Sequence, residues 1–395
     1  MQGKKILLGI CGGIAAYKSA ELTRELIKSG AQVRVVMTKN ACEFITPLTL
    51  QTLSRNEVHI ASFTPPLQRE ITHIALAEFP DIFVIAPATA NIIGKMANGI
   101  ADDLLSTVAL ALKAPILLSP AMNEKMYANP IVQANIAKLK GHGIFVMDAA
   151  YGELACQAMG SGRMPDIAEI IDEIQTILSP DDLRGKVVLV GAGPTREALD
   201  PVRFISNHST GKMGFAVALA ARRRGAKVIL VSGPTHLAPP RGVQLVRVNS
   251  AVEMREAMLA NFPAANIVVQ AAAVADYRPK NIAVNKIKKD EGALSGTWER
   301  NPDILAELGL QKAKRVLVGF AMETEDLVEN AQKKRRAKNL DLVVANCLFD
   351  AGAGFATDTN LVKIIGKDGS VEDLPLMEKI ELADIILDRA LAITP

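Results

Sequence analysis

Aromatic side chains supply 4% of the 395 residues, with a single Trp, so an aromatic-rich β-sandwich is disfavoured and α/β layers suit the composition better. Charge of one sign is also missing. The 45 basic and 42 acidic groups leave a net charge of +3, which argues against a general polyanion binder, and the small excess falls in residues 181–395. The four cysteines, Cys11, Cys42, Cys156 and Cys347, form no CxxC pair, so neither a disulfide framework nor a zinc site is indicated and a reducing cytoplasm is expected. No apolar stretch reaches the roughly 18 residues that span a bilayer. The start, MQGKKILLGICGG, has the lysines and apolar run of a signal peptide, but Gly12 and Gly13 interrupt the run and an amphipathic pattern follows, so a first strand and glycine turn are preferred. A soluble protein without a membrane partner is expected. What is present is a 49% apolar share, which rules out wholesale disorder, and length enough for two domains.

Short apolar runs alternate with helical patterns along the whole chain, the mark of α/β folding with two doubly wound parallel sheets. Strands are predicted over 5–10, 32–37, 81–86, 115–119 and 144–147, with a helix over 166–178. The pattern restarts at GKVVLVGAGPTRE, with a helix near 212–224 and strands over 227–232, 243–248, 267–272, 315–319 and 342–346. A hairpin is expected at Asp368-Gly369. Ser179 to Gly185 reads as a linker, which places domains at 1–184 and 185–395.

Loops at the ends of such strands share a crevice, so their residues decide the chemistry. In the first half Gly12-Gly13-Ile14 offers backbone N–H groups to a phosphate, although a glycine there is often only steric. Thr38 can add a hydroxyl, and Pro87-Ala88-Thr89-Ala90-Asn91 can seat a flat ring. Asn123 brings an amide to a strand end. His73 and Cys156 stand as a lone histidine and a cysteine among glycines; by themselves a surface histidine and a small buried side chain are the commoner readings. No thiol-protease signature surrounds Cys156.

The segments GGIAAYKSAELTREL, PATANIIGKMANGIADDLLST, PAMNEKMY and Cys156 followed by Gly160, Gly162, Arg163 and Met164 resemble the flavin-dependent phosphopantothenoylcysteine decarboxylase family, with a flavodoxin-like fold. The resemblance implies FMN in the crevice, with Ser106 added to the contacts above. It makes His73 catalytic, has Asn123 hold the substrate carboxylate and has Cys156 donate a proton. Gln157 departs from the glycine that often follows the cysteine. The chemistry needs the flavin, because a cysteine carboxylate has no electron sink for the pair released with CO2 until its CH2–SH unit is oxidised.

In the second half GAGPTRE fails the GxGxxG pattern at Arg196, and STGKMG fails Walker A at Ser206 and Met213. A Gly-Lys turn opening a helix remains. Arg222 to Arg224 end a helix and read as structural or solvated. Lys286, Lys288 and Lys289 resemble a lid, while Lys334 and Lys338 lie four apart on a helix. Taken alone, such clusters are most simply a solvated surface, and no aromatic residues interleave them for nucleic acid. However, GPTREALDPVRFISNHSTGKMG, AAAVADYRP, NPDIL, VGFAMET and KKRRAKNLD resemble the bacterial phosphopantothenate–cysteine ligase family, with a Rossmann-like fold. Gly191 stands where that family usually has threonine. The resemblance implies CTP bound by Ala273, Asp276, Lys286, Pro302, Asp303, Ile304, Leu305, Phe320, Lys334 and Lys338. It also brings Asn207 to an acyl-cytidylate, Mg2+ near Asp276, and Lys286 into turnover.

Together the two halves resemble the bacterial fusion proteins of coenzyme A synthesis, which implies homo-oligomers acting on 4'-phosphopantothenate, L-cysteine and CTP. A peptidyl-cysteine decarboxylase and a non-catalytic flavoprotein regulator are the alternatives; the first leaves the second half unexplained, and the retained His73, Asn123 and Cys156 count against the second.

Overall fold

The computed structural model describes every residue except 62–71, 154–158, 289–295, 324, 348–353, 355–356 and 395. Contacts divide the chain into two compact units, Met1–Ser179 and Pro180–Pro395.

The first unit is built on six parallel strands, β1 (Lys5–Ile10), β2 (Gln32–Met37), β3 (Val58–His59), β4 (Ile82–Ala88), β5 (Ile116–Pro120) and β6 (Phe145–Val146). Their order is 3-2-1-4-5-6. The chain therefore winds outward in both directions from β1 and β4, and the loops after these two strands flank the switch point. Both faces are covered. Ile6, Leu8 and Ile10 enter one apolar cluster and Leu7 the other, which is why these strands read as unbroken apolar runs instead of alternating ones. Asp166 is the N-cap of the helix Ile167–Leu178. The short β3 and the helix Thr72–Glu78 have no counterpart in the sequence reading.

In the second unit the strands are β7 (Val187–Ala192), β8 (Lys227–Ser232), β9 (Gln244–Arg247), β10 (Ile267–Gln270), β11 (Val316–Glu323), β12 (Leu342–Cys347), β13 (Lys363–Ile365) and β14 (Val371–Asp373). The order is 9-8-7-10-11-12-13-14, so its first six strands repeat the winding of the first unit. Only β13, near the edge, runs against the others, so its pairings with β12 and with β14 are antiparallel. They are joined at Asp368-Gly369, where Asp368 Oδ1 accepts from Ser370 N at 3.0 Å and Gly369 has φ +90.

One local expectation changes and another narrows. Of residues 179–185, read as a linker, all but Ser179 belong to the second unit: Leu183 is fully buried in its core, and Asp182 Oδ2 lies 2.7 Å from Arg224 Nη2. Arg224 is 2% exposed and also meets Asp388 at 2.7 Å, so of the two readings of the basic run, structural or solvated, this end is structural.

Candidate functional sites

The loops after β1, β2, β4 and β5 enclose a cavity of about 1350 Å³ in the first unit. That exceeds the ~300–1,000 Å³ of an ordinary small-molecule pocket. Gly12, Gly13, Ile14, Thr38, Thr89, Ala90, Asn91 and Asn123 all line it. Pro87 and Ala88 do not, because β4 runs on through them and both are buried in the sheet. Ser106 is also elsewhere. Its N–H donates to Asp103 Oδ1 at 2.8 Å and its hydroxyl completes a reciprocal cap on the helix Leu104–Ala111, which explains a serine at that position without a ligand. His73 sits half-buried in the first turn of its helix and is not among the lining residues; Cys156 lies outside the described residues.

The cavity wall holds groups that the sequence reading did not single out. Lys95 Nζ lies 2.6 Å from Asp102 Oδ1 and 2.8 Å from Asp103 Oδ2. Burial works against its charge, but the two carboxylates prevail and hold Lys95 above the usual lysine range. Cys11, at the end of β1, is 2% exposed, and burial pushes its thiol up to about 12 although bonds from Thr89 oppose the shift. All of Lys95, Asp102 and Asp103 fall in a quoted motif, GKMANGIADD, but nothing in linear spacing shows that the turn brings them together.

In the second unit a pocket of about 440 Å³ gathers Asp276, Pro302, Asp303, Ile304, Leu305, Phe320, Lys334 and Lys338 from four separate segments. Lys334 Nζ donates to the Phe320 carbonyl at 2.8 Å. Burial, followed by the charge of Lys338, pushes Lys334 below the usual lysine range. Lys338 is the C-cap of the helix Leu327–Ala337 and pairs with Asp303 at 2.7 Å. Asp303 also caps the helix Ile304–Leu310 through Ala306 N at 3.1 Å, so both of its oxygens have partners. Ala273 and Asn207 lie outside the pocket lining and bond each other: Asn207 Nδ2 donates to the Ala273 carbonyl at 2.5 Å. Lys286 and Lys288 are exposed and also outside the lining, and Lys289 lies beyond the described residues. At the Gly-Lys turn, Lys212 Nζ meets Asp358 at 2.7 Å. Among the described residues no three His, Cys, Asp or Glu side chains cluster as metal ligands.

A family model described as "Flavoprotein" matches residues 1–179, and one described as "DNA/pantothenate metabolism flavoprotein C-terminal domain" matches 183–393. The coenzyme A biosynthesis bifunctional protein CoaBC of Bacillus subtilis is 46% identical over 398 residues, covering 100% of this chain and 98% of its own length. Its counterpart in Vibrio cholerae is 47% identical over 98% of both chains. The chain belongs to the bifunctional coenzyme A biosynthesis family. A solved C-terminal domain of a CoaBC protein is 46% identical over 54% of this chain and 97% of its own, with a TM-score of 0.47.

With a flavoprotein unit established, the cavity can be tested against a flavin. Two N-terminal helical turns open onto it without a side-chain cap: Ile14–Tyr17 after Gly13, and Ala90–Ala97 after Thr89. Their first N–H groups need acceptors, which a phosphate or a flavin ring edge supplies. Ile14, Ile92, Leu104 and Met122 add apolar wall for a ring. The residues present fit the group. The glycines divide in purpose, however. A Cβ at Gly12 would fall 2.4 Å from Asn40 Cβ and 2.7 Å from its carbonyl carbon, so Gly12 is required by loop packing, whereas one at Gly13 would meet only Thr89 Cγ2 at 3.6 Å.

Proposed function

We propose that the chain joins 4'-phosphopantothenate to L-cysteine with CTP in its second unit and decarboxylates the product to 4'-phosphopantetheine with FMN in its first. The observation that carries this reading is the convergence of Asp276, Pro302 to Leu305, Phe320, Lys334 and Lys338 on one pocket, in a chain whose relatives match from end to end. A pocket that sets Lys334 and Lys338 beside Ile304, Leu305 and Phe320 suits a ligand of mixed character, with an apolar base and anionic phosphates.

In the ligase unit the phosphopantothenate carboxylate attacks the α-phosphate of CTP, pyrophosphate leaves, and the amine of L-cysteine then displaces CMP from the acyl-cytidylate. Lys334 and Lys338, together with Lys286, offset the triphosphate charge. A lysine already destabilised by burial, as Lys334 is, gains from meeting an anion. Asp276 supports Mg2+ together with the phosphates, which suits a cation that keeps most of its ligands outside the protein. Asn207 orients the acyl group.

In the decarboxylase unit FMN, when bound, would supply a two-electron oxidation that creates a sink for the electron pair released with CO2 and would return the same two electrons, so that the net reaction is redox-neutral. The capless turns at Gly13 and Thr89 bind it, Asn123 orients the substrate carboxylate without neutralising it, and Cys156 delivers the proton. His73 acts as base or stabilises the thiolate. A homo-oligomer with flavin sites shared between subunits belongs to the same reading. The free state of Cys11 and Cys42 suits a cytoplasmic setting.

Purified protein incubated with 4'-phosphopantothenate, L-cysteine, CTP and Mg2+ should release CMP and then CO2. An assay without CMP would remove the ligase reading, and CMP without CO2 would confine activity to the second unit. A preparation that is colourless and takes up no FMN would count against the first.

A further inference from the structure

Two short strands, Arg196–Ala198 and Phe204–Ser206, form a hairpin whose connection carries Asp200 and Arg203. Asp200 is 2% exposed, yet both of its carboxylate oxygens are saturated. Oδ1 accepts from Val202 N and Arg203 N, each at 2.8 Å. Oδ2 accepts from Arg203 Nε at 3.0 Å, Arg203 Nη2 at 2.6 Å and Ile287 N at 3.1 Å. Arg203 Nη2 also donates to the Ile287 carbonyl at 2.7 Å. Close by, Ala283 N donates to the Leu199 carbonyl at 3.0 Å.

The bonds to Oδ1 are local and close the turn. Those to Ile287 reach across more than 80 residues and satisfy both backbone groups of one position, the residue between Lys286 and Lys288. A lysine on a freely moving backbone spreads its ammonium over a wide volume, because its four-carbon stem is itself flexible. Fixing the next peptide in place fixes the root of that stem. Electrostatic help to a departing pyrophosphate depends on such preorganisation, as a misplacement of about 1 Å can cost about a hundredfold in rate.

We propose that Asp200 is a positioning residue for Lys286, holding the lysine's backbone through Arg203 and Ile287 so that its ammonium reaches the triphosphate. The proposal rests on the reading that Lys286 acts on that triphosphate. The Arg203 guanidinium, opposed by burial and joined by three backbone N–H groups, keeps the Asp200 carboxyl well below the usual carboxylate range. The clasp is therefore closed at every working pH and is not a pH switch.

The test is a double-mutant cycle in the full chain, following CTP-dependent CMP release with Lys286→Gln, Asp200→Asn and the pair. Asp200→Asn keeps the side chain's size and should lower kcat about tenfold to a hundredfold, with the KM for L-cysteine unchanged. In the Lys286→Gln background the same change should cost less than twofold, because there is no ammonium left to position. Trypsin should also cut after Lys286 faster in Asp200→Asn than in wild type. Independent, multiplying losses would overturn the proposal, as would wild-type kcat in a folded Asp200→Asn protein. Full activity in Lys286→Gln would instead remove the reading of Lys286 on which it rests. Should Asp200→Asn fail to fold, Arg203→Lys keeps the charge but not the fork, and the same cycle applies with the same two outcomes.

Discussion

Lys95 Nζ stands 2.8 Å from Asp103 Oδ2 on the wall of the large cavity, and Asp103 simultaneously caps the helix Leu104–Ala111 through Ser106 N. One carboxylate thus ties a cavity cation to a helix start. Burial raises the Asp103 pKa, but Lys95 and Ser106 outweigh it and the net direction is downward. A carboxyl depressed in the folded state contributes stability that is present above its unfolded pKa, about 3.9, and is lost as pH falls through the lower folded value. Asp103→Asn should therefore be less stable than wild type by ~1 kcal/mol near neutral pH. The gap in urea midpoints should begin to close below about pH 4. A gap that stays constant on acidification would show that the charge of Asp103 does not matter.

Cys11 should resist alkylation in the folded protein. Its thiol, pushed up to about 12 by burial, holds a negligible thiolate fraction at ordinary pH and is also 2% exposed. Iodoacetamide at pH 8 followed by peptide mass mapping should leave Cys11 unmodified until urea is added. Labelling of Cys11 in native protein at a rate near that of a free thiol would contradict the burial argument.

Arg224 joins Asp182, ahead of the second sheet, to Asp388 on the helix Lys379–Ala392 while itself 2% exposed. Truncating one partner of a buried ionic node leaves the carboxylates without their counter-charge. Arg224→Ala should cost about 1.5–3 kcal/mol in urea denaturation, since the carboxylates left behind are partly solvated, and Arg224→Lys should recover only part of this because an ammonium cannot reproduce the fork. A loss below about 1 kcal/mol, the scale of an exposed pair, would place the node at the surface in energetic terms.

The departure at Gly191 has a steric explanation. A Cβ there would fall 1.8 Å from Gln270 Oε1 and 2.7 Å from its Cδ, and Gln270 is the residue paired with Gly191 across β7 and β10. The glycine makes room for the glutamine. Gly191→Thr should cost about 1 kcal/mol, since the buried Gln270 amide must move aside, and in a Gln270→Ala background the same change should cost less, so thermal midpoints should show coupling. Strictly additive shifts would mean that the two sites do not compete for the same space.

Several strands were legible to the residue, among them Lys5–Ile10, Gln32–Met37 and Lys227–Ser232, because a strand buried on both faces is mostly apolar past its exposed first residue and is bounded by polar or glycine-containing turns. Pieces such as Val58–His59 were not, since two residues carry no period. Of the expected nucleotide residues, the segment Pro302 to Leu305 and the lysines at 334 and 338 could be named from motif alone. That they share a pocket with Asp276 and Phe320 depends on β10 and β11 being neighbours, which no local pattern states.

By itself, then, the sequence determined the class of fold, its doubled organisation and the family, since apolar runs and motif strings are properties of contiguous residues. Tertiary structure alone decided which charges are solvated and which are structural. Arg224 stands beside two other arginines in sequence but between Asp182 and Asp388 in space, and Asp200, which no sequence pattern singled out, lies against Ile287. The physical reason is that electrostatic and hydrogen-bonding roles depend on distance in space, and partners more than 80 residues apart are brought within 3 Å only when the sheets have wound.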